Sequence, residues 1–142
     1  RVAGGGRACR AGVPRAGARP GRPPPPAAGD KPRDQLVGMF DALASAGRRD
    51  GYHGCAFINT AAESNPNGDV HARTVEHKTV VRAWVTDLAR RARAVDPDLL
   101  ARQLTLLLDG GLSAGVLDAD PTTPAAAKTA ARTLVDAACR RA

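Results

Sequence analysis

The sequence lacks every signature that would place it quickly. Its three cysteines, Cys9, Cys55 and Cys139, are odd in number, far apart and free of any C-x-x-C pairing. That excludes a disulfide framework and a structural zinc site. No apolar run approaches the ~20 residues that span a bilayer. The first residues include arginines but no apolar stretch of the kind a secretory signal needs. Alternating β-branched runs, which would announce strands, are missing, and so are repeats at solenoid periods. No nucleophile–base spacing, paired carboxylates or phosphate-cradling glycine loop appears; Gly4-Gly5-Gly6 precedes neither a helix pattern nor a Lys-Ser/Thr. The expectation is a protein that is not an enzyme, holds no metal or cofactor, does not enter membranes and resides in a reducing cytoplasm.

Residues 1–29 lack Leu, Ile, Phe, Met, Trp and Tyr altogether, being Arg, Gly, Ala and Pro apart from Val2, Cys9 and Val13. Such a segment has nothing to bury against its ordering entropy, so disorder is predicted. Together with Asp30, Lys31 and Arg33 it carries the whole net charge. The formal net charge is +7, yet residues 34–142 hold equal numbers of basic and acidic side chains. A basic arm of this kind could bind nucleic acid through phosphates, weakly and without sequence preference, since it offers no aromatic for stacking. The same four residue types are those written by codons of G and C alone, so a reading-frame or start-site artefact is the competing explanation. The balanced remainder, 30–142, is predicted to be one domain.

What that remainder does contain is helix. Asp30 with Pro32 in the first turn opens a helix at about 32–46, with Leu36, Met39, Phe40 and Leu43 at helical spacing. A shorter segment at about 54–63 stops at the turn-forming run Ser64-Asn65-Pro66-Asn67-Gly68. Asp69 caps a long amphipathic helix, about 70–95, whose stripe holds Val70, Thr74, His77, Val81, Trp84, Val85, Leu88, Ala92 and Val95. Asp96-Pro97 opens a fourth at about 97–118, and Thr123-Pro124 a fifth at about 124–140. The fold class is therefore all-α, with five helices.

The fourth helix carries more apolar surface than one buried side requires. Leu100, Ala101, Leu104, Leu107, Leu108, Leu112 and Val116, with Gly111 and Gly115, cover roughly 180° of its wheel, against ~100° for a helix with a single partner. Two partners are implied, the domain's own core and something outside it. The fifth helix offers only a thin ridge of Ala127, Ala131, Leu134, Val135 and Ala138. That ridge suits close packing against another helix.

The order of pieces resembles a known family. Pro32-Arg33-Asp34-Gln35-Leu36 with Met39-Phe40-Asp41-Ala42-Leu43 is similar to the C-terminal domain of TetR-family regulators. So are Gly54-Cys55-Ala56-Phe57-Ile58-Asn59-Thr60-Ala61-Ala62-Glu63, His77-Lys78 with Trp84, and Leu99 to Leu104 with Leu107-Leu108-Asp109-Gly110. The resemblance covers about residues 30–139. It implies an effector-binding domain whose last two long helices pair with those of a second subunit, and so a homodimer. Such regulators begin with a helix-turn-helix unit, for which residues 1–29 have no pattern. Any DNA contact would then belong to an intact regulator, and this sequence would be a fragment of one.

The resemblance also implies where a small, mainly apolar effector would sit. Phe40, His77, Val81, Trp84 and Leu104 are the candidates on regular helices. Tyr52, Cys55, Phe57 and Asn59 are the candidates in the irregular segment. Each has a plain structural alternative: His77 a buried, hydrogen-bonded histidine, Trp84 a core residue, Cys55 a buried thiol without a resolving partner. A metal site built from His53, Cys55, Glu63, His71 and His77 is disfavoured, because His71 and His77 fall on different faces of one helix. The candidate pairing surface comprises Leu108, Leu112, Gly115 and Val116 on the fourth helix, with Ala127, Ala131 and Leu134 on the fifth.

Overall fold

A computed structural model of the chain describes residues 31–47, 54–63, 65, 68–117 and 120–139. The expectations for residues 1–29 lie outside the described residues, and the cap position before α1 belongs to Lys31 rather than Asp30. Among those described there is no strand, and the segments are α1 (Pro32–Gly38), α2 (Asp41–Gly47), α3 (Ala56–Ala62), α4 (Asp69–Arg91), α5 (Pro97–Leu117) and α6 (Thr123–Ala138). The fold is all-α, and α1 and α2 are the two halves of the first expected helix.

That first helix is broken where its apolar residues are densest. Leu36 to Phe40 are all buried, five in succession, which one continuous α-helical stripe cannot achieve. The backbone tightens instead. The Phe40 amide donates to the Val37 carbonyl at 3.2 Å and Leu43 to Phe40 at 3.1 Å, both spanning three residues. The tightened turn lets Met39, Phe40 and Leu43 all reach the core.

The long helix α4 stops at Arg91, four residues before the expected end. Ala92 caps it and Arg93 takes a left-handed conformation, φ 60°. Ala94 then donates to the Ala89 carbonyl and Arg93 to Arg90, each at 3.0 Å, the pair of bonds that closes a Schellman motif. The chain leaves this turn with the Val95 amide 3.0 Å from the Ala138 carbonyl, so the α4–α5 connection covers the end of α6. Asp96 caps α5 as expected, accepting from the Leu99 amide at 2.9 Å. At the start of α4 the cap position belongs to Gly68 rather than Asp69, which lies within the first turn, where a carboxylate suits the helix dipole. Before α6, Asp120 accepts from both the amide and the hydroxyl of Thr122 at 2.7 Å. The backbone bond, then the hydroxyl, hold its carboxyl below the usual carboxylate range.

Helix α5 is the centre of the arrangement. It packs against α4 on one side and α6 on the other, with α2 across it; α1 bridges α4 and α6, and α3 lies on α4. Leu36, Phe40, Leu43, Val85, Leu88, Leu100, Leu104, Ala131 and Val135 interdigitate at the junction. Burying a side chain such as Leu104 stabilises by about 1.5–3 kcal/mol. Polar ties run around this core. The Arg33 guanidinium donates to the Cys139 carbonyl, joining the start of α1 to the end of α6. Lys128 of α6 reaches Asp41 of α2 at 2.5 Å. Lys78 of α4 pairs with Asp109 of α5.

Candidate ligand site and pairing surface

Two regions can meet something other than the chain itself. The first lies between α4, the later part of α5 and the segment leading into α3. Val81 and Trp84 of α4 and Leu107, Leu108 and Leu112 of α5 are partly buried and packed against the core cluster that contains Phe40 and Leu104. Gly54 turns the chain with φ +86°, and a Cβ there would stand 3.2 Å from Val116 Cγ2 and 3.8 Å from the Leu112 carbonyl. This close approach brings Cys55, which is half-buried, and Asn59, which is exposed, to the far end of α5. Tyr52 lies outside the described residues, as does the side chain of Phe57.

The sequence-predicted ligand set therefore divides. Phe40 and Leu104 are 1% and 0% exposed and already belong to the core. Val81, Trp84 and His77 are half-buried on one side of α4, available to a bound molecule without unfolding the core. His77 is the polar member, and its Nδ1 is shielded from solvent. Burial lowers its pKa below the ordinary histidine value, the neighbouring Lys78 ammonium lowers it further, and Asp109 opposes both. A neutral imidazole can both donate and accept a hydrogen bond within an apolar setting. The buried thiol of Cys139 is pushed up by desolvation, against the nearby Arg33 charge, and is unreactive by that measure. A shallow groove on the outer side of α4, lined by Thr79, Arg82, Ala83, Thr86, Arg90 and Asp98, shares no residue with this set. Among the described residues no three His, Cys, Asp or Glu side chains gather as metal ligands, and no helix is long and apolar enough to cross a membrane.

The second region is the outward side of α5 and α6. Ala127 and Ala131 are buried within the chain's own core, and Leu108, Leu112, Gly115 and Leu134 are half-buried; of the proposed pairing residues only Val116 is exposed. The most exposed leucines of α5 are Leu99, Leu106 and Leu117, at 50%, 64% and 81% exposure. They fall outside the wide arc traced from the sequence. They could have been found, because Leu99, Gln103, Leu106, Gly110, Ser113 and Leu117 step by alternating fours and threes, the spacing of a helix–helix seam. On α6, Ala126, Ala130 and Ala137 are exposed.

The family described as BetI-type transcriptional repressor, C-terminal, matches residues 32–140, nearly all of the helical part. The chain belongs to the TetR family. Two solved structures of TetR-family regulators share the fold. One, a TetR-transcriptional regulator from Streptomyces avermitilis, aligns with TM-score 0.72 and 30% identity over 83% of this chain and 64% of its own. The other, from Streptomyces coelicolor, aligns with TM-score 0.71 and 23% identity over 79% of this chain and 60% of its own. This chain thus spans less than two thirds of either TetR-family regulator. No curated protein matches it.

Proposed function

We propose that this chain is the effector-sensing and dimer-forming part of a TetR-type transcriptional regulator, repressors being the class its family describes, and that it catalyses nothing. One observation carries the reading. Within a repressor C-terminal domain, α5 buries one side in its own core while Leu106 and Leu117 remain largely exposed on the other. An isolated monomer gains nothing from that arrangement, whereas a second copy covering it removes apolar area worth about 25 cal/mol per Å².

The half-buried surface of Val81, Trp84 and Leu108, with His77 at its edge, is the proposed effector site, and its lining favours a small, mainly apolar molecule. Binding there would shift the intact regulator between DNA-competent and incompetent arrangements. Sequence-specific DNA binding would rest on a helix-turn-helix unit outside the matched region, and a cytoplasmic location is the setting that reading requires. The alternative, a nucleic-acid binder acting through the arginines of residues 1–29, draws no support from the family match, which lies entirely on the charge-balanced part. Light scattering on the chain in solution tests the proposal. A dimer at micromolar concentration is expected; a clean monomer would overturn it.

A further inference from the structure

We infer that two copies pair α5 against α5 in antiparallel register, about a two-fold axis crossing the helix at the level of Leu108, so that Leu106 of each copy sits over Gly110 of the other. The inference rests on the homodimer reading above and adds to it the geometry of the seam.

The six seam positions are Leu99, Gln103, Leu106, Gly110, Ser113 and Leu117, and all six are exposed. Reversed about position 108, the stripe maps onto itself: Leu99 meets Leu117, Gln103 meets Ser113, and Leu106 meets Gly110. Each layer then sets a larger side chain against a smaller one, or two leucines at the rim. A parallel arrangement would place like positions together. Gly110 would face Gly110, leaving a void, and Gln103 would face Gln103.

Gly110 supplies an independent reason. A glycine inside a helix costs about 1 kcal/mol relative to alanine, so a mid-helix glycine needs an explanation in packing. A Cβ at Gly110 would meet nothing within 4 Å, whereas one at the adjacent Gly111 would collide with Leu43 at 2.7 Å. Gly111 is therefore required by the chain's own fold. Gly110 is not, and the hole it leaves opens outward.

Charge agrees with the same register. No charged residue lies on the stripe itself. Helix α5 has no basic residue in its last turn, so the negative end of its dipole is unrelieved by its own side chains. The exposed Arg102 lies beside the stripe, one turn in from the start of α5. The antiparallel register sets it level with position 114 of the second copy, about one turn from that unrelieved end.

The register is tested in the full chain by two measurements. Leu106→Cys and Gly110→Cys variants, fused to tags of different size, are mixed and oxidised beside the unmutated chain. A mixed 106–110 disulfide several-fold above either self-linked product is expected. Predominant self-linking of Gly110→Cys, with light scattering still reporting a dimer, would overturn the register and leave the homodimer standing. The second measurement is the dimer dissociation constant by sedimentation. Gly110→Leu should raise it, because the hole is filled, and the exchange Leu106→Gly with Gly110→Leu should recover most of the loss, because every layer is restored with its members swapped. A double variant no better than Gly110→Leu alone, while circular dichroism shows both folded, would equally overturn the register. A monomer for the unmutated chain would overturn the homodimer reading itself.

Discussion

Gly111 of α5 lies so close to Leu43 of α2 that a β-carbon on the glycine would stand 2.7 Å from the leucine Cδ1 and 3.5 Å from its Cδ2. Leu43 is itself buried, and the same β-carbon would stand 3.6 Å from Ala127 Cβ of α6. The broken first helix therefore reaches α5 only because position 111 has no side chain. Three helices meet at this one point, and the contact fixes how α2 lies across the centre of the fold.

Gly111→Ala is accordingly expected to destabilise the domain. Alanine recovers about 1 kcal/mol of helix propensity, but crowding a well-packed core costs about 1–3 kcal/mol, and Leu43 is buried within that core. A net loss of about 1 kcal/mol should appear as a lower midpoint in chemical denaturation. Gly110→Ala, one residue away, should raise the stability of the isolated subunit instead.

The end of α4 carries a strain that can be removed. Arg93 occupies the left-handed position of a Schellman motif at φ 60°, where glycine is the usual occupant. A side chain there costs roughly 1–2 kcal/mol, part of which glycine returns through its greater freedom in the unfolded chain. Arg93→Gly should therefore stabilise by about 0.5–1 kcal/mol, seen as a higher thermal midpoint. Unchanged or lower stability would mean that the Arg93 side chain contributes more than its backbone costs.

Most of the architecture was written in periodicity and turn residues. Asp96-Pro97 announced the start of α5, and the spacing of Leu100, Leu104, Val85 and Leu88 announced the core. The break at Met39–Phe40 was hidden because apolar spacing alone cannot distinguish one long helix from two short ones joined by a tightened turn. The end of α4 was hidden for a related reason: its stop signal is an arginine in a glycine's place. The candidate site was legible as a helix face, through His77, Val81 and Trp84, but spacing could not separate Phe40 and Leu104, wholly buried, from neighbours that stay half open. Leu99, Leu106 and Leu117 form a separate stripe outside the wide apolar arc, and the spacing of that arc alone gave no sign of it.

His77 should make stability depend on pH. Its folded-state pKa lies below the ordinary 6.5, chiefly through burial. The unfolded chain therefore takes up a proton first as pH falls. The stabilising effect of the neutral imidazole is complete above the unfolded value, and is lost as pH drops from about 6.5 through the lower folded value. Denaturation midpoints measured on either side of that window should fall with acid, and His77→Gln should flatten the fall. Equal slopes for the two proteins would remove His77 from the account.

Trp84 is the chain's one tryptophan and lies half-buried on the proposed effector face. A small apolar molecule seated against Val81 and Leu108 would replace water at the indole. Its emission should shift to shorter wavelength and saturate with ligand concentration, and Val81→Glu should abolish the response while the helical signal persists. A saturable ligand that leaves the Trp84 spectrum unchanged would place the effector elsewhere.

Leu106 offers the sharpest separation of folding from association. At 64% exposure it contributes little to the core of its own subunit, so Leu106→Glu should leave helicity and the unfolding midpoint of the monomer nearly unchanged, as surface substitutions do. In a dimer the same change buries a carboxylate against the opposite seam, where Arg102 one turn earlier offsets only part of the desolvation cost, a net loss of several kcal/mol for each copy. The expected outcome is a well-folded monomer by light scattering, with thermal stability that no longer depends on protein concentration. If Leu106→Glu still runs as a dimer, the exposed leucines of α5 face solvent for some other reason, and the pairing surface must be sought on another side of the domain.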